Sequence, residues 1–162
     1  MNVISLSGKN RRNPISKAVV FALLGFFAFV LYPCTLLAGG TYVGEVTGVW
    51  RAEDSPINVI GDIEVPEGGR LTIEPGVRVV FLGNFVFIVN GELTATGDIE
   101  EDEWIVFVHV DSSQWQGIQF GCDAEGEVSG CVIVNAWIGI DCNRSSPLIS
   151  NNRILALSTG IN

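Results

Sequence analysis

Lysine is absent from this 162-residue chain beyond position 17, since Lys9 and Lys17 are the only two. From residue 39 onward the only fixed cations are Arg51, Arg70, Arg78, Arg144 and Arg153. They face eighteen acids, a net charge of −13 against −9 for the whole chain. A surface of that sign repels phosphate backbones and anionic lipid, which argues against nucleic-acid binding. It reads as a solvated surface, with cation coordination by some of the carboxylates as the alternative. There is a single histidine, His109, which excludes a multi-histidine zinc site. None of the four cysteines forms a C-x-x-C pair, which argues against metal ligation by thiolates.

Long apolar runs are equally scarce. The single one, Ala18 to Leu37, follows Lys9, Arg11, Arg12 and Lys17 and precedes Ala38-Gly39-Gly40. A basic start, an apolar stretch and a small-residue site define a secretory signal peptide, here cleaved after Ala38. Pro33 breaks the helical core of the run and favours that reading. The run is also long enough to span a bilayer as a retained anchor, which is the alternative. Cys34 is a poor lipidation site because bulky Tyr32 and Pro33 precede it. Either way the body is expected to be secreted or displayed at the cell surface, with membrane contact only through an uncleaved N-terminal segment.

What the sequence does have is a repeat. Val128-Ser-Gly-Cys-Val-Ile133 is answered further on by Ile149-Ser-Asn-Asn-Arg-Ile154. Gly117-Ile118, Gly139-Ile140 and Gly160-Ile161 recur at nearly the same interval, and Trp115 and Trp137 stand two positions before the first two glycines. Gly69-Arg-Leu-Thr-Ile73 returns as Gly91-Glu-Leu-Thr-Ala95, again one interval on. Short alternating strands separated by Pro66-Glu-Gly-Gly69, Glu74-Pro-Gly76 and Gly83-Asn84 corners complete the pattern. A period this short, with β-branched residues and Gly or Asn corners, suits stacked coils of a parallel β-helix. An antiparallel sandwich also uses many short strands, but hairpins do not require a constant register between copies. The expectation is an all-β fold, a three-sided parallel β-helix of about 22 residues per coil. It covers residues 59–162. Residues 39–58 form a cap or linker in which Trp50 covers the end, and a signal or anchor helix precedes them. Leu71 should lie beneath Leu93, and Ile118 beneath Ile140. Because the chain stops within a coil at Asn162, further coils of a longer parent are expected.

The string from Asn58 to Gly76, followed by Ile88-Val-Asn-Gly-Glu-Leu93 and Ser145 to Ile154, resembles the right-handed parallel β-helix repeat proteins of the pectate-lyase-like superfamily, from Asn58 to the end of the chain. The resemblance implies a right-handed coil and an extracellular setting. It also implies one of three roles, namely carbohydrate binding, polysaccharide lysis or hydrolysis, or a surface scaffold.

The candidate carbohydrate-binding residues are Trp115, Trp137, Gln119, Asp141 and Asn162. Their repeat spacing places the two tryptophans at one corner of successive coils. Facing outward they would form a strip for stacking on sugars, and facing inward an aromatic stack in the core. In the same register Asp141 aligns with Gln119 and Asn162, a polar column suited to sugar hydroxyls. A lyase would call on Arg144 or Arg153 near Asp141, with its catalytic coils downstream. Gly97 to Glu103, with five acids, reads as a solvated loop, or as a Ca²⁺ site although it lacks the usual calcium-loop spacing. His109 reads as a hydrogen-bonded rim residue. Cys122, Cys131 and Cys142 read as small buried residues, with a Cys122–Cys131 disulfide as one option in an oxidising compartment. No cofactor is expected. The preferred reading is an exported, non-catalytic scaffold or carbohydrate-binding surface protein, with polysaccharide as the partner. The alternative is the N-terminal part of a polysaccharide lyase or glycoside hydrolase.

Overall fold

The structure, a computed structural model, describes residues 39–162 with the exception of Ser112. The signal or anchor reading of residues 1–38 lies outside the described residues. The alternation seen in the sequence becomes fifteen short strands and one 3-10 turn, Ala52–Asp54. The strands begin with β1 (Thr41–Glu45), β2 (Gly48–Trp50), β3 (Ile57–Val65), β4 (Arg70–Ile73), β5 (Arg78–Phe81), β6 (Val86–Val89) and β7 (Glu92–Thr96). They continue with β8 (Ile105–His109), β9 (Gly117–Phe120), β10 (Glu125–Ser129), β11 (Cys131–Val134) and β12 (Ile138–Cys142). The last are β13 (Leu148–Ser150), β14 (Arg153–Leu155) and β15 (Thr159–Ile161).

All pairings between these strands are parallel. One sheet runs β13-β10-β7-β4-β2, and the larger one runs β14-β11-β8-β5-β3-β6-β9-β12-β15 with β1 against β3. The long strand β3 serves two rows, since Ile57–Val59 pair with β5 and Ile63–Val65 with β6. Three faces result: a first through β5, β8, β11 and β14, a second through β6, β9, β12 and β15, and a third through β4, β7, β10 and β13. The chain visits them in rotation, a topology compatible with the expected parallel β-helix. Residues 39–58 take part in the stack, because β1 and β2 pair with β3 and β4.

Inward side chains stand on one another along the axis. Leu71 pairs with Leu93, and Ile118 with Ile140, all four without exposed surface. Trp50, on β2 at the end of its sheet, is buried, with its ring 5.0 Å from Tyr42 and 6.3 Å from Phe87.

The circuit length is not constant. Leu71 meets Leu93 one repeat interval on, but Leu93 meets Gly126 only after a circuit half as long again, and Val128 meets Ile149 after a short circuit once more. The extra length is carried mainly by two loops, the acidic turn after Gly97 and the segment between β8 and β9. Both leave the stack at corners, so the strands on either side keep their register. Corners also satisfy backbone groups that the ladders leave open. Asp62 Oδ1 accepts from the Val86 amide at 3.0 Å, and Ser55 Oγ from the Arg78 amide at 2.9 Å. Asn152 accepts from the Cys131 amide at 2.8 Å and donates to the Val128 carbonyl at 2.7 Å. Asn151 beside it takes a φ of 54°, a left-handed conformation that Asn tolerates.

The Gly-Ile repeat has a steric cause. A Cβ on Gly117, whose φ is 110°, would overlap the carbonyl of Ile138 in the next circuit, and one on Gly139 would overlap the carbonyl of Gly160. At Gly160 the nearest atom to such a Cβ is Ile154 Cγ2 at 3.9 Å. Gly117→Ala is therefore expected to lose about 2–4 kcal/mol of stability, from forced backbone strain. Gly160→Ala should stay within about 0.5 kcal/mol of the parent. Urea unfolding of the two variants beside the parent checks both, and equal losses would contradict the steric account.

Candidate functional site

The two repeat tryptophans do not share an environment. Trp115 is wholly buried, stacked on Phe81 at 4.0 Å and 13° and 6.4 Å from Phe107, and its Nε1 donates to the Val134 carbonyl at 3.0 Å. Trp137 is 45% exposed. The cause is a slip of one residue. Trp115 bridges Ala136, whereas Ile118 pairs with Ile140, so the first step is one position shorter than the second. The upper circuit thus holds one additional residue in this interval, which moves Trp137 off the buried position that its alignment with Trp115 implied. Neither expected arrangement, both outward or both inward, is present. Trp115 belongs to the core, and Trp137 alone remains available to a ligand.

The expected polar column is present. Asp141 pairs with Gln119, and Asn162 Nδ2 donates to Asp141 Oδ1 at 2.9 Å. Below Gln119 the same column continues through Ile88 and Glu64 to Glu45. Glu64 is held by Asn90, whose Nδ2 donates to Oε1 at 2.8 Å. Near Trp137, Gln116 donates to Asn84 Oδ1 at 2.8 Å, and the Gln116 carbonyl receives the Ile138 amide at 3.3 Å. Gln116 and Asn84 escape sequence reading because the enlarged circuit separates them by an irregular interval.

A second unanticipated feature is a cleft of about 310 Å³ at the corner between the second and third faces, lined by Glu67, Arg70, Asn90, Glu92, Asp123 and Glu125. Arg70, the cleft's one cation, pairs with Glu92 at 2.6 Å. Arg153 lies 4.4 Å over the Trp104 ring on the first face, whereas Asp141 stands on the second.

The acidic loop is tied to itself. Asp98 Oδ1 accepts from the amides of Glu100 and Glu101 at 3.0 and 3.2 Å, and Asp102 Oδ1 accepts from Trp104 Nε1 at 2.9 Å. Among the described residues no three His, Cys, Asp or Glu side chains gather as metal ligands. His109 is buried, its Nδ1 accepting from the Asp111 amide at 3.2 Å. The Asp111 carboxyl is held below its usual range, first by the hydrogen bond from the Ser113 amide and then by the Ser113 side chain, with smaller help from His109.

The three cysteines among the described residues differ from one another, and all three are free. Only Cys131 is fully buried, and burial pushes its thiol up to about 12. Cys142 is half-buried, its thiol raised first by burial and then by Asp141. Cys122 is exposed, so the expected burial and the Cys122–Cys131 disulfide both fail there. Its thiol is raised by a 3.4 Å hydrogen bond to Asp123 and by that carboxylate's charge.

No protein-family model matches the chain, and no solved structure matches it. A 63-residue stretch, 39% of the chain, is 41% identical to part of Protein bark beetle of Drosophila melanogaster. The chain's matched stretch spans about 2% of that protein's length.

Two outcomes check this geometry. Trp115→Ala should cost about 3–5 kcal/mol, while Trp137→Ala should leave the melting temperature nearly unchanged. Alkylation of the native protein near pH 8 should modify Cys122 first and spare Cys131 until urea is added. The Cys122 rate should climb with pH beyond the ordinary thiol range, because the raised thiol yields its thiolate late. Early labelling of Cys131 would contradict its burial.

Proposed function

We propose that the described residues are turns of a right-handed parallel β-helix of the pectate-lyase-like kind. In this reading the protein is an exported, non-catalytic scaffold whose second face holds polysaccharide. The observation that carries it is the pairing, on β12 and the residue before it, of an exposed Trp137 with the Gln119–Asp141–Asn162 column. An indole face stacks on the apolar face of a sugar ring, and amide and carboxylate groups bond its hydroxyls.

The enzyme alternative is weaker in these residues. A lyase needs a base aimed at the same lane as its acids; Arg153 is engaged with Trp104 on another face, and Arg144 lies in the corner after β12 beside Asp123 and Glu125. The N-terminal apolar run supports export, and the similarity to a small part of a much longer protein suits a building block in a large scaffold.

Residues 1–40 fused to a reporter that is active only outside the cytoplasm test export. The full-length protein, incubated with a panel of polysaccharides, should be retained by at least one without shortening it. Chain scission or release of unsaturated ends would establish the enzyme reading instead, and retention by none would remove the carbohydrate role.

A further inference from the structure

We infer that the glycan accommodated on the second face is a hydroxyl-rich polysaccharide without carboxylates, not a polyuronate. This rests on the proposed carbohydrate role and narrows it to a chemical class.

The charge inventory of that face is one-sided. Its strands, β1, the second half of β3, β6, β9, β12 and β15, carry Glu45, Asp62, Glu64 and Asp141, and not one Lys, Arg or His. A uronate carboxylate brought to this face finds no cation on these strands to pair with and meets like charge on a body of net −13.

Three of the four carboxylates are held by neighbouring amides. Asp62 Oδ1 is taken by the Val86 amide, Glu64 Oε1 by Asn90, and Asp141 Oδ1 by Asn162. Each is thereby fixed in orientation and retains lone pairs, which is the state suited to accepting from a hydroxyl. The Gln119 amide can both donate and accept. Sugar hydroxyls do the same, so Gln119, Asp141 and Asn162 offer a mixed donor and acceptor row spaced by about 4.8 Å along the axis. Trp137 stands four positions before Asp141, roughly 13 Å away at about 3.3 Å per residue, a span that fits an oligosaccharide better than one ring.

Affinity electrophoresis of the full secreted protein tests this. Native gels would contain a neutral β-glucan, mannan or xylan, or polygalacturonate, with salt varied. At least one neutral polymer is expected to retard the parent protein, and raising the salt to about 0.5 M should leave that retardation within twofold, since no ion pair is involved. Trp137→Ala should weaken it by tenfold or more, with its melting temperature matching the parent's as proof of folding. Retardation by polygalacturonate alone would overturn the carboxylate-free class while leaving the carbohydrate role standing. Retardation by a neutral polymer that Trp137→Ala does not weaken would overturn this face as the site. No retardation in any gel would overturn both.

Discussion

A strand in this protein finds its hydrogen-bond partners in the circuits before and after it, not in its sequence neighbours. That constraint decides the rest. Because each backbone must lie about 4.8 Å from the next in parallel register, inward side chains stack in columns such as Leu71–Leu93 and Ile118–Ile140, and outward ones do the same. Extra residues can then be housed only at corners. The acidic turn after Gly97 and the loop between β8 and β9 are two such places, and the strands beyond them return to register.

The same constraint accounts for the candidate site. Gln119, Asp141 and Asn162 form a column because they occupy one outward position in three successive circuits. Trp137 is exposed because the circuit above Trp115 holds one residue more than the repeat requires in that interval. A single-residue change of register is enough to give two aligned tryptophans different environments. The outcome is one aromatic in the core, stacked on Phe81, and one beside a polar column.

Those parts of the architecture that depend on spacing were readable in advance. Glycines at 117 and 139 mark places where backbones of adjacent circuits approach too closely for a side chain, and Asn151 marks a left-handed corner. The variation in coil length was not to be had from the two or three clean repeats, because Leu93 and Gly126 are partners across the enlarged circuit and share no obvious motif. The corner cleft escaped for the same reason, since Glu67, Asn90 and Asp123 come from separate circuits. Cys122 was misplaced because a thiol's burial depends on which side of a corner it falls, and periodicity does not report that. The −13 charge gained meaning only once the second face proved to hold carboxylates without a cation.

In-register stacking of successive circuits is the central claim, and disulfide trapping probes it most directly. In a Cys122→Ser background, Thr72→Cys with Thr94→Cys places two outward thiols on directly paired positions of β4 and β7. Thr72→Cys with Thr96→Cys places them on a diagonal, beyond the roughly 7 Å Cα separation that a disulfide spans. Mild oxidation followed by mass spectrometry of the digest should find the first pair joined and the second open. A joined diagonal pair, or an open Thr72–Thr94 pair in a protein that is otherwise folded, would contradict the register on which the whole account stands.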